Sequence, residues 1–262
     1  MSEQKNYEEL DIEKRIMDVR ISSWRHFHEY VVTEMLDYSH YIWRGQRDSN
    51  WGLETSLDRI LNSTNKGANK FTLQRHLNKF KLASRGRRGP NPRAELSEND
   101  WWALGQHNGL ATPLLDWSTS PFVALYFAFA NKEPSKSGNR AVWALGPVSD
   151  MVKAIKNENA SAPVLEYIRP HQDENARLVS QGGLFTRVPL GFTVKTWIEE
   201  NSEKGENKEL AILMRLLIPD QGREECLRAL NMMNINHTTL FPDLYGAGLH
   251  CNNALVIDKY AV

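Results

Sequence analysis

The sequence predicts an α+β fold, one domain with a helical N-terminal flank. Short segments rich in Val, Ile and Trp, bounded by Gly, Pro or Asp, alternate irregularly with stretches of helical apolar spacing. No internal repeat divides the chain. Its 262 residues amount to one large domain or two small ones at ~150 residues each. Hydrophobic residues at 41% and charged residues at 24% give an ordinary globular composition, with enough chain for a core. We place the flank at residues 1–24 and the domain at 25–262.

Residues 7–38 carry Leu10, Ile12, Ile16, Val19 and Ile21 at near-helical spacing, with a break at Ser22-Ser23 and a second helix over 24–36. Tyr41-Ile42-Trp43-Arg44-Gly45 reads as a strand running into a turn. Residues 69–84 space Phe71, Leu73, Leu77 and Phe80 as a helix, and the Gly/Pro-rich 85–93 follows as a basic loop. Ser97 is an N-cap for a helix through about His107, stopped at Gly109. Leu114–Ser118 reads as a buried strand. Pro121 opens an apolar, buried helix, because its missing N–H costs nothing in the first turn. An exposed loop over 131–140 precedes a strand at 141–145. Further strands are expected at 164–168, 184–188 and 210–218, the last with helix as an alternative. A helix or an insertion is expected at 192–200, and a helix at 224–233. A terminal strand or turn at 238–243 feeds a last short helix.

Lys plus Arg equals Asp plus Glu at 32 each, so no global field draws the molecule to nucleic acid or acidic membrane. No apolar run approaches the ~20 residues of a membrane span, so no membrane partner is expected. The polar, acidic start does not read as a secretory signal or a transit peptide. Cys226 and Cys251 make no disulfide framework or zinc spacing, which leaves a reducing cytoplasmic location as the default and no metal. A Walker loop, GxGxxG after a strand, GxSxG and HExxH are all absent, so P-loop, serine-hydrolase and zincin chemistries lose their support.

Local clustering is different. From Arg59 to Arg93 stand ten basic residues and no acidic one. Lys79, Lys81, Arg85, Arg87, Arg88 and Arg93 are the candidate nucleic-acid contacts, since a basic helix beside an Arg/Gly loop tracks a phosphate backbone. The bland reading is a solvated face balanced by N-terminal acids such as Glu8, Glu9 and Glu13.

Three constellations carry possible chemistry. Trp43-Arg44-Gly45-Gln46 sets a guanidinium fork on a strand beside a close-approach backbone, suited to phosphate or carboxylate; the plain alternative is a structural ion pair. The run from Gln106 and His107 to Asp116, Trp117, Ser118 and Pro121 concentrates polar groups where helix, turn, strand and helix start meet. The third is split between Arg177…Gln181-Gly182-Gly183 and Leu240-Phe241-Pro242-Asp243.

Taken in order, these motifs resemble the FRG domain family, named for an aromatic-Arg-Gly motif, here Trp43-Arg44-Gly45. The likeness runs through Gln106–Thr112, Leu114–Ser118, Pro121–Ala128, Gln181–Thr186 and Leu240–Leu244, over roughly residues 25–250. The pattern is in turn similar to the core of ADP-ribosyltransferases, which implies a split, mixed/antiparallel β core. Arg44 matches their first-strand Arg, and Asp116-Trp117-Ser118 stands where Ser-Thr-Ser would be. No Glu matches the third element, so Gln181 or Asp243 takes its place. The resemblance implies NAD⁺ as co-substrate and no metal. Arg44, Gly45, Gln46, Trp117 and Ser118 would bind the dinucleotide, and Arg44, His107, Asp116, Gln181 and Asp243 would carry catalysis. Joined to the basic 59–93 segment, the resemblance points to transfer of ADP-ribose to a nucleic acid, RNA favoured, by a toxin or anti-phage effector; that role, rather than any residue, would call for an antitoxin protein. The rival expectations are a non-catalytic nucleic-acid-binding module and a small-ligand-sensing interaction domain.

Overall fold

The computed structural model describes residues 5–64, 69–88, 95–170 and 176–260. In chain order the elements are β1 (Tyr7–Glu9), β2 (Ile16–Ile21), α1 (Trp24–Glu34), β3 (Ile42–Gln46), α2 (Ser56–Ser63), α3 (Lys70–Ala83), α4 (Glu98–His107), β4 (Leu114–Ser118) and α5 (Pro121–Ala130). They continue with β5 (Asn139–Leu145), α6 (Ser149–Glu158), β6 (Glu166–Ile168), α7 (Ala176–Ser180), β7 (Gly183–Arg187) and α8 (Val194–Glu200). The chain closes with β8 (Leu213–Pro219), α9 (Arg223–Met232), α10 (His237–Leu240) and α11 (Leu244–Val256). The fold is mixed α/β, and among the described residues one eight-stranded sheet runs β1-β2-β8-β5-β3-β4-β7-β6. Neighbours are antiparallel except β2 with β8.

Strand alternation assigns the two faces. Val142 and Ala144 of β5 join Val19, Ile21, Leu216 and Ile218 under α1, α5 and α9. Ala141, Trp143 and Leu145 turn the other way, toward α6 and α8. A third apolar cluster binds α2, α3 and α4 to Leu114 and Phe185. Capping boxes at Thr55 and Ser97 start α2 and α4, the second as the sequence predicts. Helix α5 is apolar and buried with Pro121 in its first turn, also as expected.

The helical N-terminal flank is corrected. Residues 7–9 and 16–21 are strands of the same sheet rather than helix. Lys14 and Arg15 take positive φ (49° and 64°), which breaks the helical path between Ile12 and Ile16. Met17, Val19 and Ile21 then bury one face at period two, and pairing with the distant β8 overrides the local helical spacing. The 238–243 stretch is likewise no strand. Asn236 caps the short α10, and Asp243 caps α11, which has 13 residues rather than a few. Arg140, expected in an exposed loop, begins the core of β5 at 1% exposure. It is ion-paired to Asp220 and donates to the carbonyls of Ala128, Asn131 and Glu133.

Candidate functional site

Strands β3 and β4 share a single register pair, Trp43 opposite Ser118, whereas β3 meets β5 over five. Against this one-rung seam lies a cleft of about 300 Å³. Arg44, Gly45, Gln106, His107, Asp116, Trp117, Ser118 and Gln181 all line it, so residues from positions 44 to 181 meet as the sequence motifs predict. Trp43, Phe127, Phe185 and Phe241 supply an aromatic wall.

The Arg44 Nη1 ion-pairs with the Asp116 carboxylate at 2.7 Å and donates to the Asp116 carbonyl at 2.8 Å. The Arg44 side chain is 15% exposed and that of Asp116 63%, so the pair is anchored on its arginine side and open on its carboxylate side. The Thr112 hydroxyl donates to the Gln106 amide oxygen, which turns the Gln106 Nε2 toward Asp116 Oδ1 at 3.3 Å. Helix α4 ends at His107, which places the imidazole at the cleft. Burial, and then the Arg177 charge, push the His107 pKa below its ordinary 6.5, although Asp243 opposes them, so the ring is neutral at pH 7.

Several expected ligand-binding residues have other duties. Gly45 gives close approach to α5 rather than to a ligand: a Cβ there would lie 1.9 Å from the Ala124 carbonyl oxygen. Gln46 does not line the cleft and is buried, donating to the Gly52 carbonyl and accepting from the Trp143 indole. Its assignment to dinucleotide binding is therefore corrected, because its amide is consumed inside the core. Ser118 lines the cleft, but its hydroxyl donates to the Gln181 carbonyl (2.7 Å) and accepts from the Ser120 N–H. The contact ties β4 to the turn before β7, where Gly182 takes φ +54° beside the Thr119 hydroxyl. The Trp117 indole donates to Thr186. The Gln181 side chain donates to the Leu240 carbonyl. Asp243 lies outside the cleft lining. It caps α11 through the Gly246 N–H and pairs with Arg177, and these two contacts hold its carboxyl below the usual carboxylate range.

Arg177, which opens the third sequence constellation without an assigned role, joins the cleft with its guanidinium over Phe241 at 5.4 Å. A second cleft of about 300 Å³ adjoins the first and shares Arg44, Gln106 and Asp116 with it, adding Glu54, Ser56 and Arg59. Among the described residues, no group of His, Cys, Asp and Glu gathers to hold a metal, and no helix is long and apolar enough to cross a membrane. Both cysteines are free, Cys226 buried and Cys251 exposed.

Of the basic segment, Lys79, Lys81, Arg85, Arg87 and Arg88 lie on α3 and just beyond it, whereas Arg93 lies outside the described residues. N-terminal acids do not balance this face: Glu8 pairs with Arg20 and Glu34 with Lys5, while no described carboxylate ion-pairs with Lys79, Lys81, Arg85 or Arg87.

The chain is thus a mixed α/β domain whose sheet narrows to one rung between β3 and β4, with an arginine, a histidine and an aspartate lining the cleft there. Residues 39–137 match the family model of the FRG domain. The matched segment holds the Trp43-Arg44-Gly45 motif, α4, β4 and α5; the Gln181–Thr186 and Leu240–Leu244 motifs lie beyond it. No curated protein and no solved structure matches the chain.

Proposed function

We propose that this protein is an ADP-ribosyltransferase-like enzyme that moves ADP-ribose from NAD⁺ to a nucleic acid, RNA favoured, as a toxin or anti-phage effector. The observation that carries the reading is the convergence of Arg44, His107, Asp116 and Gln181 on one cleft at the β3–β4 seam. Size supports it as well: two adjoining clefts of about 300 Å³ meet at the Arg44–Asp116 pair, and together they suit a dinucleotide better than either does alone.

In this reading Arg44 holds a diphosphate or ribose oxygen, and the aromatic wall takes the nicotinamide. The bond from the ribose anomeric carbon to nicotinamide breaks, with its electron pair leaving on nicotinamide. The largely exposed Asp116 carboxylate faces the positive charge that develops, an electrostatic role that is usually the largest catalytic contribution. The acceptor's nucleophile bonds to the anomeric carbon and passes its proton to neutral His107. Gln181 and Asp243, the expected substitutes for the third-element Glu, act by positioning: one ties its turn to α10, the other holds Arg177.

The test is incubation with adenylate-labelled NAD⁺ and single-stranded RNA, DNA or cell lysate. The expected result is label on nucleic acid, lost by orders of magnitude in Arg44→Ala. Folded protein that labels nothing overturns the reading. A second reading, an anion-sensing cleft without chemistry, is favoured by one observation: Asp116 and Asp243 are both ion-paired to arginines. That reading predicts a thermal shift with NAD⁺ and no transfer.

A further inference from the structure

The cleft at the seam leaves one feature of the molecule unused. At the N-terminal end of α4, the Trp101 ring is flanked by two cations, with the Arg88 guanidinium carbon 4.9 Å and the Lys81 Nζ 5.5 Å from its centroid. Phe80 meets the same ring edge-on at 6.3 Å and fixes it. These side chains open onto a groove of about 590 Å³ whose described lining also includes Arg85, Asn78, Ser84 and exposed Leu82. Among the described residues three cations line it and no carboxylate does.

We infer that this groove binds single-stranded nucleic acid, with Lys81, Arg85 and Arg88 on successive phosphates and Trp101 as the platform for a base. Cations alone would read any polyanion. A tryptophan held among them adds a π-face, which an extruded base can use by displacing a stacked cation onto its own phosphate, and which a base inside a duplex cannot reach. Position links the groove to the cleft: Trp101 and His107 are six residues apart on α4, about 9 Å along the helix. The groove and the cleft thus share α4, which makes a strand bound at Trp101 the candidate acceptor. That acceptor role rests on the transferase reading; the binding does not.

The experiment is fluorescence anisotropy of a labelled 12-nucleotide single-stranded RNA with the full chain and no NAD⁺. Binding is expected with a log–log salt slope of about −2 for three phosphate contacts, close to 20-fold weaker at 200 than at 50 mM salt. Trp101→Ala is expected to weaken it roughly 5- to 100-fold, the range of one base–aromatic stack. Lys81→Glu with Arg85→Glu abolishes binding and carries the test if the tryptophan variant fails to fold. Undiminished binding by the variants overturns the groove. Tighter binding of the matching duplex or of polyglutamate overturns the ligand class, and absence of binding overturns both. Label transfer from NAD⁺ is read in parallel. Groove-dependent binding without transfer sinks the transferase reading alone, and transfer that survives the groove variants sinks this inference alone.

Discussion

Gly45→Ala tests the packing that shapes the seam. The new methyl carbon would lie 1.9 Å from the Ala124 carbonyl oxygen and 2.5 Å from the Ala128 nitrogen. Both are backbone atoms, so no side chain can swing aside. Ordinary contact begins at 3.4 Å, and helix α5 would have to retreat by about 1.5 Å. That helix buries Val123, Ala124, Leu125, Tyr126, Ala128 and Phe129, and a retreat of that size forfeits much of their dispersion contact. We expect a cost of about 3 kcal/mol, at the upper end of overpacking, or more. In a chain of this size that lowers the Tm by roughly 6–12 °C. Gly52→Ala is the control: its Cβ would meet only the Glu54 Cγ at 3.7 Å, and reduced unfolded-state entropy stabilises by about 0.4–1 kcal/mol. Thermal denaturation by circular dichroism reads both. A Gly45→Ala protein melting within 2 °C of wild type would refute the close-contact argument.

Other outcomes follow from the ion pairs and hydrogen bonds. Asp220→Ala strands the Arg140 charge in the core and should cost about 3–5 kcal/mol, measured by urea denaturation. Burial alone would raise the Asp48 pKa, but N–H groups of Asn50, Lys136 and Ser137 and the Ser137 side chain outweigh it and hold the carboxyl at about 2, below its ordinary 3.8. Its contribution is thus complete above the unfolded value and is lost as pH falls from 3.8 through 2, where the unfolded chain binds the proton first. Asp48→Asn should flatten the pH dependence of stability across that window. The His107 imidazole should titrate below 6.5 by NMR, and Arg177→Gln should move its midpoint upward by removing a nearby positive charge, with burial still holding it down.

Much of the central fold is legible locally. Ser97, Pro121 and Gly109 punctuate α4 and α5 because caps and breakers act within one turn. The motif residues Arg44, His107, Asp116 and Gln181 could be gathered in advance because each sits in a short polar motif that interrupts an apolar segment. What stayed hidden depends on distant partners. The strand character of Ile16–Ile21 comes from β8, and the burial of Arg140 from Asp220 and three carbonyls. Trp43-Arg44-Gly45-Gln46 reads as one motif, but only the position of Trp143 shows that the Gln46 amide belongs to the core. Trp101 was invisible as a platform because its meaning lies in two cations from α3 and the segment after it.

The parallel pairing of β2 with β8 has a consequence for biosynthesis. Asp18 and its ion-pair partner Arg215 are 197 residues apart. At translation rates of roughly 5–20 residues per second, the emerging β2 waits about 10–40 s for its neighbour. During that interval Met17, Val19 and Ile21 have no strand to cover them on that edge, and the nascent polypeptide is a substrate for chaperones. Ribosome-bound chains truncated before Leu213 should therefore be protease-sensitive through the N-terminal strands, and they should gain protection only once Pro219 has cleared the exit tunnel.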